Sequence, residues 1–322
     1  MLLFISLLCL FLLFLFPGIC LQGAKNGLLL WFNVVLPTLF PFMTLSLFMT
    51  KTSLCHKLSR LCPDPVRKIL GVSSVGVYPV IMGLLSGFPV GAKIVNTLYQ
   101  EKQISRKEAN YLLCLAGNIS PMFLTTYIGE HCLHLGSKRY LLLPVLYISA
   151  FASANILKHF IFSRYNEDGP DMQEKTLAAP VSPDCPVQKP VENSPHRLTA
   201  INALNQAVSD SLCTLAVVGG YIMLFSLLGN VILCLMPATP AAILTTVSEI
   251  TTGSSYIRTI TSFSPLQKII LLSSLSSFGG LSSVAQTGSV VTEPGLSLPC
   301  YVLGKILQAV INAALCLLVF LV

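Results

Sequence analysis

The residue best suited to chemistry in this chain is Glu249, which lies in the stretch AAILTTVSEITTG among apolar and hydroxyl side chains. An ionisable group inside a bilayer is energetically costly, so by default it marks a functional site. If this stretch lies in a membrane, the carboxyl group could accept hydrogen bonds from a solute, bind a sodium ion, or take up a proton during coupled transport. The alternative is a solvated glutamate at the membrane interface.

The other candidates are small polar residues beside glycine or proline. They occur in SGFPVGAK at 86–93, GNISP at 117–121 and SFGGLSSVAQ at 277–286. Where a membrane helix is interrupted, the free N–H groups of the next helical segment can bind an anion. Close packing of helices through small residues is the alternative explanation. With Glu249, the predicted substrate-binding residues are Ser86, Gly87, Asn118, Ser120, Glu249, Ser282 and Gln286.

Motifs for other kinds of chemistry are weak. His131, Cys132 and His134 lie close together in GEHCLH, but their spacing does not match a closed four-ligand zinc set. The sequence has no G-x-S-x-G, phosphate-binding loop or H-E-x-x-H motif. Its lysines and arginines gather in a few loops rather than in a stripe that could follow a nucleic acid. We therefore expect no catalytic residue, metal ion or cofactor, no nucleic-acid partner, and a protein that is not an enzyme.

The composition places these candidates in a membrane protein. Of 322 residues, 53% are hydrophobic and only 10% are charged, whereas soluble domains carry about 25% charged residues. A membrane helix needs about 20 mainly apolar residues. The clearest predicted spans are 2–21, 28–49, 140–162, 212–236 and 300–322. Less regular apolar stretches lie at 69–92, 111–135, 241–261 and 269–292.

The basic loops predict how the stretch 69–92 enters the membrane. Loop 50–68 and segment 93–110 are both rich in lysine and arginine, which favours the cytoplasmic side for both. Only 69–92 separates them, so it should enter and leave the bilayer on one side. The string GLLSGFPVGAK at 83–93 is a poor continuous helix, which suits a re-entrant hairpin. A kinked ordinary helix is the alternative.

The same order of elements occurs twice. Span, hairpin, broken span and plain span fill residues 28–163, and 201–322 repeat the order, with irregular segments expected at 251–255 and 277–283. Three crossings per half would invert the second half. We therefore predict an all-α polytopic membrane protein with two inverted repeats, each holding a re-entrant hairpin and a broken transmembrane helix. Residues 1–27 form a separate N-terminal transmembrane helix, and 164–200 form a flexible cytoplasmic linker.

Several of these strings resemble the sporulation integral membrane protein family called YlbJ. The match runs in order from about residue 28 onward and leaves out the linker. Phe88 stands where this family is expected to have tyrosine, which removes a hydroxyl group from the hairpin. The matching strings are LPTLFPF at 36–42, SGFPVGAK at 86–93, GNISPMF at 117–123, VSEITTG at 247–253 and SFGGLSSVAQ at 277–286.

The resemblance implies a role as well as an architecture. The family is similar to the nucleoside-recognition, or Gate, group and distantly to concentrative nucleoside transporters, whose core is two inverted units of a hairpin and a broken helix. It implies a transporter in spore formation, moving dipicolinate or another small polar or anionic aromatic solute across a forespore membrane. Expected partners are the solute, the lipid bilayer, H+ or Na+ as a coupling ion, and a second copy in a homo-oligomer. The alternative is a non-transporting scaffold of the forespore envelope.

Overall fold

The chain is helical in every range that the computed structural model describes, namely residues 11–52, 63–161 and 200–321. The predicted all-α class is confirmed there, while the inverted relation of the two halves stays a prediction. Apart from Ala200, the predicted linker 164–200 lies outside the described residues.

The helices are α1 (Pro17–Leu30), a π-helix (Trp31–Val35), α2 (Leu36–Lys51), α3 (Asp64–Leu70), α4 (Val77–Ser86), α5 (Val90–Gln100), α6 (Arg106–Ala116), a π-helix (Phe123–Cys132), a 3-10 helix (Gly136–Leu141), α7 (Leu142–Phe160), α8 (Ala200–Leu235), α9 (Ala238–Ser248), α10 (Ile250–Thr259), α11 (Pro265–Phe278), α12 (Gly280–Val290) and α13 (Leu298–Leu321).

Five helical segments in the described ranges are long and apolar enough to cross a membrane. Three of them overlap the clearest predicted spans, and Pro265–Val290 overlaps the less regular stretch 269–292. Near the N-terminus, 28–49 and 2–21 were expected as two helices, and residues 2–10 of the latter lie outside the described residues. The helix instead continues from Pro17 through α1, the π-helix and α2, so the expected boundary at residue 27 falls inside α1. The five segments are Pro17–Met49, Gly136–Phe160, Ala200–Leu235, Pro265–Val290 and Leu298–Leu321.

Close packing on α8 explains why the helix does not end at the glycines near residue 27. A Cβ atom added at Gly23 would lie 2.8 Å from the Cα of Leu227, and one at Gly27 would lie 2.8 Å from Ser226 Oγ. Glycines four residues apart share one helix face and let two backbones approach closely. Trp31 Nε1 then donates a hydrogen bond to the carbonyl oxygen of Leu215 at 2.9 Å, which fixes the π-helix on α8.

The first half contains both predicted interruptions. Helix α4 ends at Ser86, α5 begins at Val90, and the two helices pack against each other. Between them Gly87 has φ = +79°, a conformation that side chains with a Cβ rarely adopt. Helix α6 ends at Ala116, and the chain is not helical again until Pro121. The predicted turn within 83–93 and the predicted break at 117–121 are therefore confirmed.

The second half confirms one interruption and moves the other. Helix α11 ends at Phe278 and α12 begins at Gly280, and Gly279 and Gly280 have φ of +86° and +80°. This confirms the break predicted within 277–283. The expected irregular segment at 251–255 is instead part of α10. The interruption lies at Glu249, whose backbone is extended (φ = −148°, ψ = 116°), because its side chain caps α10 and hence starts a new helix there.

Side-chain amides join the two halves. Asn96 Oδ1, on α5, accepts hydrogen bonds from the backbone N–H groups of Thr292 and Glu293 at 3.0 and 3.2 Å. Asn110 Oδ1, on α6, accepts one from Ser297 N at 2.8 Å. The connection between α12 and α13 is thereby held against α5 and α6, and α12 itself packs on α5, α8 and α9. The interruptions of both halves thus meet inside one structure.

Candidate solute-binding cavity

A cavity lies where the four interruptions meet. Its water-accessible volume is about 50 Å³, and about 10–15 Å³ of such volume holds one water molecule. In this conformation it has room for a few waters or a small ion, which is less than an aromatic dicarboxylate occupies. Its lining residues are Val35, Leu39, Gly87, Phe88, Ile119, Ser120, Phe123, Val218, Ile222, Glu249, Ile250, Thr251, Gly279, Ser282, Ser283 and Gln286.

Four helical segments begin at the wall of this cavity. They are α5, which follows Gly87 and Phe88, the segment that starts at Pro121, α10 and α12. The first N–H groups of a helix lack partners within the helix, and the helix dipole places partial positive charge at that end. Four such ends around one space favour a negatively charged or strongly polar occupant.

Glu249 supplies the only carboxyl group among the described lining residues. Its side chain is 2% exposed, and its two oxygens accept hydrogen bonds from Thr251 N at 3.0 Å and Thr252 N at 2.5 Å. The carboxyl group therefore caps α10 and occupies the positive end of that helix. Of the four helix starts at the cavity, this one already has a negative partner.

The remaining polar groups of the cavity are held by nearby parts of the chain. Ser120 Oγ accepts a hydrogen bond from Phe123 N at 3.2 Å and so caps the segment that starts at Pro121. On α12, Gln286 Nε2 donates to Ser282 Oγ at 3.1 Å, and Ser283 Oγ donates to Gly280 O at 2.8 Å. These side chains are fixed before any ligand arrives, which favours binding because less conformational entropy remains to be lost.

Five of the seven predicted site residues thus line one cavity, and two do not. Ser86 is buried behind the hairpin turn, where its hydroxyl pairs with that of Ser46 on α2 at 2.5 Å. Asn118 does not line the cavity; its Nδ2 donates a hydrogen bond to Leu115 O and its Oδ1 accepts one from Gln308 Nε2. The residues brought together are Gly87, Ser120, Glu249, Ser282 and Gln286.

Asn118 belongs to a polar cluster that the sequence interpretation missed. At its centre lies Lys305, on α13, with a fully buried side chain. Lys305 Nζ donates hydrogen bonds to the carbonyl oxygen of Gly117, to Asn118 Oδ1 at 3.3 Å and to Gln308 Oε1 at 2.6 Å. Gln308 Nε2 in turn donates to Asn118 Oδ1 at 2.8 Å. Within the described residues, no carboxylate forms an ion pair with this lysine.

Phe88 connects the lysine cluster with the cavity. Its ring lines the cavity, and its centroid lies 5.3 Å from Lys305 Nζ, within the range of a cation–π interaction. A Cβ atom added at Gly279 would lie 2.7 Å from this ring. The turn of the first hairpin therefore contacts both the break at Gly279 and Lys305 through the Phe88 ring. The buried amine of Lys305 thus lies next to a residue of the cavity wall.

One sequence signal could have revealed Lys305. It is the only charged residue in α13, a segment of 24 mostly apolar residues. The principle that charges embedded in a membrane mark functional sites applies to it as it does to Glu249. Its partners Gly117 and Asn118 lie 188 and 187 residues away in sequence, so their meeting could not be predicted from spacing.

Comparison with curated proteins gives one relevant relative. The chain is 28% identical over 326 aligned residues to the sporulation integral membrane protein YlbJ of Bacillus subtilis strain 168, covering 94% of this chain and 78% of the relative. The chain is thus similar to this protein over nearly its whole length. Together with the five apolar helices, this similarity identifies a multi-pass integral membrane protein.

Two further comparisons found no relatives. No family model matches the chain, and no solved structure matches it. The wider nucleoside-recognition grouping therefore stays a prediction, as does any transport activity. The name of the YlbJ relative describes an integral membrane protein of sporulation, and the expectation that this chain is not an enzyme stays a prediction.

Proposed function

We propose that the protein is a membrane carrier of a small anionic aromatic solute in spore formation, with dipicolinate as the solute that the family resemblance favours. The observation that carries this proposal is the convergence of four helix starts on one cavity. Interrupted helices at membrane depth are tolerated where they line a cavity or a binding site. The sporulation role comes from the YlbJ relative.

The charges around the cavity support an anionic solute. Three of the four helix starts lack a charged partner from the lining residues, and the Lys305 ammonium lies behind Phe88. At low dielectric, opposite charges across a few ångströms attract far more strongly than they do in water. A carboxylate entering the cavity from water would therefore exchange its hydration for these N–H groups and for the potential of the lysine.

Glu249 gives the proposed carrier a way to couple transport to protons. An ionised Glu249 and an anionic solute in one small cavity would repel each other. We therefore assign to Glu249 the role of taking up a proton when the solute binds and releasing it when the solute leaves. The small volume of the cavity means that the hairpin turn at Gly87 and Phe88 must move to admit an aromatic solute.

A flux assay tests the proposal. The full chain is reconstituted into liposomes, and uptake of labelled dipicolinate is measured with and without a pH gradient. We expect saturable uptake that unlabelled dipicolinate inhibits and that a protein-free liposome lacks. If well-inserted protein shows no uptake, with the pH gradient absent or imposed in either direction, the result would favour the scaffold alternative.

A further inference from the structure

The surroundings of Lys305 have the composition of a binding site for a monovalent cation. Three oxygen atoms contact its Nζ: the main-chain carbonyl oxygen of Gly117 at the break after α6, and the amide oxygens of Asn118 and Gln308. The Phe88 ring faces the same nitrogen. Carbonyl oxygens replace the hydration shell of alkali ions, and carbonyls freed at helix breaks coordinate ions in membrane carriers.

The contacts of Lys305 Nζ suit an ammonium group. An ammonium group has three N–H donors and no acceptor, and here three oxygens surround it. The side chains of Lys305, Asn118 and Gln308 are fully buried, so water does not take the place of these contacts. The Gly117 carbonyl lies at the C-terminal end of α6, where the helix dipole favours a positive charge.

We propose that Lys305 fills a monovalent-cation site with its own ammonium group, as a permanently tethered substitute for a free ion. The carbonyl oxygen of Gly117 and the amide oxygens of Asn118 and Gln308 are the ligands of this site. The break after α6 then requires no sodium ion in the native protein. Removing the ammonium group opens a space that sodium or potassium enters.

A direct role of Lys305 in holding the solute fits the contacts less well. Its three donors are already used, and Lys305 does not line the cavity, whereas the Phe88 ring that it contacts does. The lysine therefore acts on the cavity through its charge, while its hydrogen bonds serve the helix break. This separates the cation site from the solute site.

The test is the effect of cations on the thermal stability of the purified full-length protein in detergent. Melting temperatures are compared in sodium chloride, potassium chloride and N-methylglucamine chloride at equal ionic strength, for the native chain and for Lys305→Ala. We expect no difference between salts for the native chain. For Lys305→Ala we expect a rise of about 2–4 °C with sodium or potassium over N-methylglucamine, because a ligand that binds only the folded state stabilises it. Binding of labelled sodium should reach one ion per chain in this variant and should be absent in the native chain.

Matched variants make the result decisive. Lys305→Met fills the same space with an uncharged chain, so its melting temperature should not depend on the cation. Adding Asn118→Ala to Lys305→Ala removes a ligand and should reduce the sodium effect. Lys305→Ser provides a second cavity-forming variant in case Lys305→Ala folds poorly.

Three results would overturn the proposal. They are an equal melting temperature of Lys305→Ala in all salts without sodium binding, an equal sodium effect in Lys305→Met, and a failure of both small variants to fold in sodium while Lys305→Arg folds. In the last case sodium would be unable to replace the ammonium group. The readout is cation binding, so it is independent of whether the protein carries dipicolinate.

Discussion

The two helical interruptions that carry a buried charge solve the same problem in opposite ways. At the start of α10 the free N–H groups meet the carboxyl group of Glu249. At the end of α6 the free carbonyl group of Gly117 meets the ammonium group of Lys305. The carboxyl group comes from the interruption itself and faces the cavity, whereas the ammonium group comes from a distant helix and lies behind Phe88. Under the proposed function the first charge is neutralised by a proton when the solute binds, whereas the second is a fixed part of the structure.

The largest expected effect of a single substitution is at Glu249. Glu249→Gln keeps the size and one of the two capping oxygens but removes the proton-carrying group. We expect uptake driven by a pH gradient to fall about 10–100-fold, as for the loss of a charged hydrogen bond, while the protein still inserts. The matched control is Glu130→Gln, which removes an exposed carboxylate paired with Arg139. Equal uptake by both variants in liposomes would contradict the proton-coupling role proposed for Glu249.

A smaller effect is expected at Lys305. Lys305→Met removes the positive charge behind the cavity wall but leaves Glu249 in place. The KM for the anionic solute should rise about 10-fold, which corresponds to about 1.4 kcal/mol, while the dependence of uptake on the pH gradient is kept. Uptake rates measured over a range of solute concentrations at several external pH values give both the KM and the dependence on the pH gradient. If Lys305→Met loses the pH dependence and Glu249→Gln keeps it, the roles assigned to the two charges are reversed.

The smallest effect is expected at Ser120, the cap beside Asn118. Ser120→Ala removes the acceptor for Phe123 N and should cost about 1 kcal/mol of stability. Ser105→Ala removes the equivalent cap of α6, where Ser105 Oγ accepts a hydrogen bond from Glu108 N at 3.2 Å away from the cavity. Both variants should melt at similar temperatures, but only Ser120→Ala should raise the KM. A change in KM in both would show that stability, not the cavity, is responsible.

The same contrast explains what could be predicted from the sequence. Breaks at Gly87, at 117–121 and at Gly279 follow from local chemistry, since glycine and proline interrupt helices wherever they cluster. Glu249 was found because it is the only ionisable residue of the string AAILTTVSEITTG. The sequence interpretation placed the helix break too late, in the string TTGSS at 251–255. Glycine and serine remain helical there because their small side chains allow a neighbouring backbone to approach closely, as Thr246 approaches Gly253.

The missed features all depend on contacts between distant residues. The joining of α1 and α2 into one helix depends on the packing of Gly23 and Gly27 against α8. The orientation of Asn118 depends on Lys305 and Gln308, and the burial of Ser86 on its pairing with Ser46. Residue type alone could not decide which polar side chains at an interruption face the cavity and which face another helix.

Cysteine protection tests the central claim most directly, namely that the interruptions enclose the solute site. Ser120→Cys and Ser283→Cys are labelled with a small thiol reagent in membranes, with and without dipicolinate, and the unmodified chain gives the background from native cysteines such as Cys213 and Cys234, which are exposed. The account predicts labelling at both positions that dipicolinate slows and an uncharged aromatic of similar size does not. Unchanged labelling at both positions under conditions where dipicolinate is transported would contradict it.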